Sequence, residues 1–243
     1  MYKLEMHVHT SPTSRCASAK AEDAVAQYTQ AGYHGLVLTN HINNSTYRYM
    51  EDMPWNEKVA HFVRGFEDMQ RAAAGRLTVL FGCEINLTPL GAPKYIPNDY
   101  LIYGATPQWL LEAGDVRRMS LEQLSESARK VGFLIVEAHP FRYDSVIMDD
   151  RLLDGVEVYN ANKNHDSHDY LAELWAEKKH LIRTTGSDFH DPHDHNIHKE
   201  PRYVKLVSFY YSTSRPAGPL LPGPADEQHI FFSLLYPDLR ISF

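Results

Sequence analysis

The chain has 243 residues, of which 43% are hydrophobic, 23% charged and 12% aromatic, and its formal net charge is −7. That composition excludes a disordered polymer, the absence of an apolar run near the roughly 20 residues of a membrane helix excludes a span, and the acidic balance argues against a protein that grips nucleic acid through a large basic face, while leaving room for a short oligonucleotide in a metal-lined cleft. Only Cys16 and Cys83 are present, which implies no disulfide framework, and the segment from Met1 to His7 has no apolar core of a secretory signal, so a cytoplasmic location is expected.

In chain order, His7 and His9 fall on a first strand. Ala24, Val25, Tyr28 and Ala31 then make an apolar helical stripe, with Ser18 as the expected N-cap and Gly32 as the stop. Leu36 to Thr39 reads as a strand. Trp55, Val59, Phe62, Phe66, Met69 and Ala73 alternate at spacings of four and three, the mark of a long amphipathic helix ending at Gly75. Leu77 to Ile85 is the next strand. Ser120 and Gln123 form a capping box ahead of Leu121, Leu124, Ala128 and Val131, with Gly132 as the stop. Phe133 to Val136 and Val156 to Tyr159 are strands. Tyr170, Leu171, Leu174 and Trp175 make a last stripe, Lys178 and Lys179 suit the C-terminal dipole, and Leu181-Ile182 is a final strand.

These strands have the continuous apolar character of parallel strands buried on both faces, and each needs a crossover helix to reach its neighbour. The class is α/β. A barrel is favoured over an open sheet because the polar residues collect at strand C-terminal ends, where barrel chemistry sits. Residues 1–212 are expected to form the barrel domain. Residues 213–243, with Pro216, Pro219, Pro222 and Pro224 ahead of the apolar run Ile230 to Leu235, are expected to be a Pro/Gly-rich linker and a C-terminal strap on the same domain.

Fourteen histidines are an unusual number, and histidine is the commonest metal ligand. His7 and His9 leave the same face of their strand and can reach one ion. Four more segments end predicted strands: Thr39-Asn40-His41, Gly82-Cys83-Glu84, Glu137-Ala138-His139-Pro140 and Gly186-Ser187-Asp188-Phe189-His190. Five such endings would converge on one barrel mouth. No Gly-x-Ser-x-Gly or Walker-type loop competes with them.

In these five segments, taken in order over residues 2–191, the chain resembles the polymerase and histidinol phosphatase (PHP) family of metal-dependent phosphoesterases. The resemblance implies a distorted TIM-like barrel of about seven βα units and two or three divalent ions of zinc, manganese or iron. It assigns His7, His9, Glu84 and Asp188 to a first ion and His41 and His190 to a second, with Glu84 bridging toward a third held partly by His139. Glu84 and Asp188 are then the essential catalytic carboxylates. Water bridging two ions loses its proton near neutral pH and attacks the phosphoryl group. A small phosphorylated metabolite or nucleotide is the implied substrate, with no membrane and no large nucleic-acid surface involved.

Departures from the family pattern are equally legible. A metal-binding Asp commonly follows the His-x-His motif, whereas Ser11 to Cys16 contains none; Cys16 could supply a thiolate there or be a small buried apolar residue. Asn40 stands where an Asp is usual, which makes the second site less anionic. No histidine occurs between Ile85 and Ala138, and Thr106 falls near the place expected for a further ligand of the third ion. Arg142, just after His139-Pro140, is the first candidate to bind phosphate in bidentate fashion, with Arg15 and Lys94 behind it. His193, His195 and His198 lie in a polar tract, and His34, His61, His165, His168, His180 and His229 are read as structural. Two alternatives stay open: a metal-dependent hydrolase of a non-phosphate bond, and a catalytically weak metal-binding module.

Overall fold

A computed structural model describes residues 3–87 and 98–193. The chain runs β1 (Leu4–Val8), α1 (Ala21–Gln30), β2 (Gly35–Leu38), β3 (His41–Ile42), α2 (Trp55–Ala73), β4 (Thr78–Asn86), β5 (Asp99–Tyr103), α3 (Pro107–Ala113), α4 (Leu121–Lys130), β6 (Leu134–Ala138), β7 (Gly155–Asn160), α5 (Asp169–Lys179) and β8 (Ile182–Gly186). Seven strands follow the order β1-β2-β4-β5-β6-β7-β8, and the two-residue β3 pairs with the end of β4. At the open edge the chain after β8 meets β1. The His9 N–H donates to the Phe189 carbonyl at 2.9 Å and the Phe189 N–H to the His7 carbonyl at 3.3 Å, so the sheet is a nearly closed barrel.

The expected succession of parallel βα units is broken once. β5 is antiparallel to both β4 and β6. Residues 87–98 separate β4 and β5, a length at the lower limit for a parallel crossover. Five consecutive buried residues make β5 a central strand: Tyr100 and Ile102 join the outer core while Leu101 and Tyr103 enter the barrel.

Apolar packing separates the two faces of the wall. Inside, Met6, Val37, Leu80, Leu101, Tyr103, Leu134 and Val136 fill the lower barrel. Outside, Phe81, Cys83 and Ile85 of β4 pack with Phe62 of α2, Trp109 of α3 and Leu124 of α4. A second outer cluster joins Val25, Tyr28, Leu36, Leu38 and Met69. Each such side chain contributes roughly 1.5–3 kcal/mol by leaving water, so the wall is held without help from the polar residues at its mouth.

Local signals decide the helix ends. Ser120 Oγ accepts the Gln123 N–H and Gln123 Oε1 accepts the Ser120 N–H, the expected capping box. α2 closes through Ala74 and Gly75, both at positive φ. α1 differs from expectation: its N-cap is Lys20, whose N–H donates to Asp23 Oδ2 at 2.9 Å, while the Ser18 N–H is drawn to the His190 carbonyl. α5 differs too. Its buried residues are Ala172 and Ala176, and Tyr170 and Leu174 are exposed, because small residues one turn apart let the helix approach the sheet closely.

A β-bulge in β1 sets up the site. Register against β2 slips between Glu5 and Val8, so Met6 packs in the lower core while its neighbour His7 lines the mouth above. The bulge is stitched by Glu5, whose Oε1 accepts the N–H groups of Met6 and His7 at 2.9 Å and of Ser187 at 3.0 Å. No described helix is long and apolar enough to cross a membrane. The 212/213 boundary, the C-terminal strap, Lys94, His195, His198 and His229 lie outside the described residues.

Candidate metal centre

The C-terminal ends of the parallel strands bring the predicted ligands together. His7 is the penultimate residue of β1 and His9 follows the strand; β3 sets His41 beside Glu84 of β4 in register; His139 follows β6; Asp188 and His190 follow β8. Glu84 stands at the centre. Its Oε1 lies 3.3 Å from His7 Nε2 and 3.4 Å from His139 Nε2, and its Oε2 lies 2.8 Å from His41 Nδ1 and 3.2 Å from His9 Nε2. Asp188 Oδ1 is 3.3 Å from both His9 Nε2 and His190 Nδ1, and 3.5 Å from His7 Nε2. His139 and Asp188 adopt positive φ, 32° and 49°, strain of order 1–3 kcal/mol each that is typical of functional positions.

The hydrogen bonds behind these rings fix which atoms face the cavity. His7 Nδ1 meets Glu157 Oε1 at 2.9 Å, and a carboxylate can only accept, so Nδ1 carries the proton and Nε2 presents a lone pair. Ser14 Oγ donates to Asn40 Oδ1 at 2.8 Å, leaving its oxygen to accept from His9 Nδ1 at 3.3 Å; His9 Nε2 is therefore also a bare acceptor. Both lone pairs point at carboxylate oxygens. His7 Nε2, His9 Nε2, His41 Nδ1 and both oxygens of Glu84 are buried with no hydrogen-bond partner. Acceptors massed against acceptors in a dry site are costly unless a cation lies among them, and imidazole with carboxylate is a donor set for zinc, manganese or iron(II). These residues fit divalent metal.

Charge tells the same story. Against the opposing effect of burial, the Glu157, Asp188 and Glu84 carboxylates hold His7 well above its usual range, and Glu84 does the same for His41. Glu84, again against burial, is held well below the usual carboxylate range by His41 and His7, as Asp188 is by His7 and His190. Burial and the neighbouring His41 and His190 push His9 down to about 4. Protons here occupy positions that a metal ion would take.

Four contributors were not read from the sequence. Glu157 orients His7, accepts the His139 N–H at 3.0 Å through Oε2 and takes a bond from Asn160 at 2.8 Å. A carboxylate inside an otherwise apolar strand was its only signal. Ser14 orients His9, and Asn162 Nδ2 donates to Asp188 Oδ2 at 3.0 Å. Asp99, the first residue of β5, has a carboxylate oxygen grouped with His41 and Glu84. Its position corrects the expectation for Thr106. With β5 reversed, Asp99 is at the mouth, whereas Thr106 lies past the far end of the strand and caps α3 by accepting the Trp109 N–H at 3.1 Å. Gly186 is required for close approach, since a Cβ there would meet His7 Cβ at 2.3 Å.

The mouth opens into a cleft of about 360 Å³ lined by Arg15, Cys16, Arg142 and His165 and by the candidate ligands His41, His139, Asp188 and His190. Arg142 lies 3.5 Å from both Asp99 Oδ2 and Asp144 Oδ1. Arg15 lies over the Tyr49 ring at 4.4 Å. Cys16 is exposed rather than packed in the core, and its Sγ is 3.2 Å from His190 Nε2; against the effect of burial, hydrogen bonds to His190 and His41 bring its thiol down to about 6. His193 is exposed in a turn and stands apart from the described ligand groups.

Neither a family model nor a curated protein matches the sequence. Solved structures do match. A two-domain Bacteroides vulgatus protein containing a predicted PHP-like metal-dependent phosphoesterase superposes with a TM-score of 0.54 at 18% identity, over 79% of this chain and 52% of that one. The barrel is PHP-like in fold. This chain spans about half the length of that protein, so the PHP-like likeness covers one part of it. Two other structures align at TM-scores of 0.47 and 0.49: a provisionally assigned metal-dependent phosphoesterase from Bifidobacterium adolescentis (14% identity, 78% of this chain and 88% of that one) and a Chromobacterium violaceum amidohydrolase with bound sulfate and no metal (16%, 79% and 89%).

Proposed function

We propose that this chain is a PHP-family, metal-dependent phosphoesterase acting in the cytoplasm on a small phosphorylated metabolite or nucleotide. The observation that carries the reading is the convergence of unpartnered lone pairs from His7 and His9 on the buried carboxylates of Glu84 and Asp188. His7, His9, Glu84 and Asp188 would hold one ion, His41 and His190 a second, and Glu84 with His139 and Asp99 a third. Two or three divalent ions, when bound, supply Lewis acidity and bring a water into its ionisable range near neutral pH.

The protein's own groups then have defined tasks. Glu157 and Ser14 keep the Nδ1 protons of His7 and His9 in place so that both Nε2 atoms stay available. Glu84, ionised and enclosed, concentrates negative charge that only cations can balance. Arg142 and Arg15 line the cleft with the only two guanidinium groups among its described residues, which is where phosphoryl oxygens would be oriented, away from bulk water. The phosphate reading rests on those two cations and on the family resemblance.

A screen of phosphomonoesters, phosphodiesters and amides with added manganese tests it. Hydrolysis of a phosphate ester with inhibition by inorganic phosphate is expected. Turnover of amides without phosphate inhibition would replace the phosphoesterase by a hydrolase of a non-phosphate bond, and full metal content with no turnover would make the chain a metal-binding module.

A further inference from the structure

His41 and His190, assigned to the second ion, cluster with His9 and differ in character from the carboxylate-rich first set. We infer that Cys16 is a thiolate ligand that completes this group and makes it a soft, zinc-type position. The inference rests on the reading of the mouth as a metal centre.

Three observations support it. First, the loop is fixed where the sulfur must be. The N–H groups of Ser18 and Ala19 both donate to the His190 carbonyl, at 2.9 and 3.0 Å, and the Ser14 N–H donates to the Thr10 carbonyl at 2.9 Å, so the Cys16 segment is tied to the His190 backbone and to the turn that follows β1. Second, the imidazole is set in the right tautomer. His190 Nδ1 lies 2.8 Å from the Asp188 carbonyl oxygen, which only accepts; Nδ1 is therefore protonated and the Nε2 lone pair faces Sγ at 3.2 Å. A backbone carbonyl behind a ligating histidine is the usual way a metal site selects its nitrogen. Third, His41 Nδ1, buried in the same group, lacks a hydrogen-bond partner, and the ring of His9, whose Nε2 serves the first ion, lies 4.2 Å from that of His41 and 4.3 Å from that of His190. The thiol proton now between sulfur and nitrogen occupies the space a shared cation would take.

Thiolate with imidazole favours zinc, cobalt or iron(II) over manganese and magnesium. The group around Glu84 and Asp188, with imidazole and carboxylate oxygen alone, discriminates less. The two halves of one centre would thus differ in metal preference, with Cys16 setting the difference. Binding exchanges the proton shared by Cys16 Sγ and His190 Nε2 for the ion and releases that proton to solvent; no oxidant or reductant takes part.

The test uses the full-length protein stripped with a chelator and reloaded with Co²⁺ alone. A near-ultraviolet sulfur-to-cobalt charge-transfer band is expected in the wild type and in Cys83→Ser, whose thiol is buried in the outer core, and is expected to vanish in Cys16→Ser. Zinc binding at the second equivalent should weaken by roughly tenfold or more in Cys16→Ser with manganese binding nearly unchanged, and Cys16→Asp should tighten manganese binding rather than restore that of zinc. Iodoacetamide should label Cys16 in the stripped wild type and be blocked by zinc, a readout that needs no variant. Cobalt uptake without the sulfur band, or labelling unaffected by zinc, would overturn the thiolate ligand and leave the metal centre standing. No uptake of either ion by the wild type would remove both.

Discussion

Glu84 and Glu137 are fully buried carboxyls on strands that flank the same neighbour, β5, yet their environments oppose each other. Glu84 faces into the mouth among four imidazoles and is held ionised by His41 and His7. Glu137 is paired across the sheet with Tyr100 on the outer face, takes a hydrogen bond from Asn98, and is pushed up to about 8 chiefly by burial. Burial alone therefore does not set the state of a carboxyl. Cationic or protonatable neighbours do, and of these two carboxyls only Glu84 has them.

The largest effect should come from cancelling the inner charge. Glu84→Gln and Asp188→Asn should each lower phosphatase activity by about 100-fold or more, since even outer-sphere partners cost 10–100-fold, and should reduce bound metal. The thermal transition should stay cooperative because the core rests on the apolar strands. Activity within about tenfold of wild type would show that Glu84 is no more functional than Glu137.

One layer back, Glu157→Gln should cost roughly 10–100-fold in metal affinity, because an amide can present N–H instead of an acceptor to His7 Nδ1. Metal content and kcat together check this; an unchanged affinity would mean that His7 holds its tautomer unaided. At the rim, Arg142→Ala should raise KM for a phosphorylated substrate by about tenfold, the loss of one charge-assisted hydrogen bond. Arg142→Lys should not restore it, since the ammonium lacks the fork. Unchanged kinetics would leave Arg142 as the counter-ion of Asp99 and Asp144.

The smallest effect belongs to the outer face and appears in stability. Glu137 titrates near 4.5 when unfolded and at about 8 when folded. The fold thus favours its protonated form: the contribution is complete below pH 4.5, declines as pH rises, and is lost above 8. Glu137→Gln removes this dependence, so the variant should gain on wild type between pH 5 and 8.5 by at least about 2–4 °C in Tm, the equivalent of 1 kcal/mol. A Tm difference independent of pH would show that Glu137 stays ionised, in which case the contrast with Glu84 disappears.

The candidate ligands were legible because imidazole or carboxylate at the end of an apolar strand is a local pattern, and the five endings repeat it. His7, His9, His41, Glu84, His139, Asp188 and His190 all come to the mouth. Glu157 and Asp99 were not legible, for different reasons. Glu157 sits within a strand that its apolar neighbours define, so its carboxylate reads as an exposed edge until β8 covers it. Asp99 depends on the direction of β5, which no residue in the strand announces; the same reversal sends Thr106 to the far end. In α5, Tyr170 and Leu174 had the right spacing for a buried stripe, but the helix packs through alanines whose small size carries no periodic signal.

The seam between β1 and the chain after β8 has a consequence for the order of assembly. Glu5 and Ser187, bonded across it, are 182 positions apart, so the ligands His7 and His9 leave the ribosome long before Asp188 and His190 can join them. Contacts of such long range are formed late and slowly. An ion shared by His7, His9 and Asp188 would act as a clasp on that seam, adding about 2.7 kcal/mol to closure at a free concentration 100 times its Kd. Starved of metal, the barrel would open first between its oldest and youngest strands, and hydrogen exchange there would report the cell's supply of metal before any loss of the remaining fold.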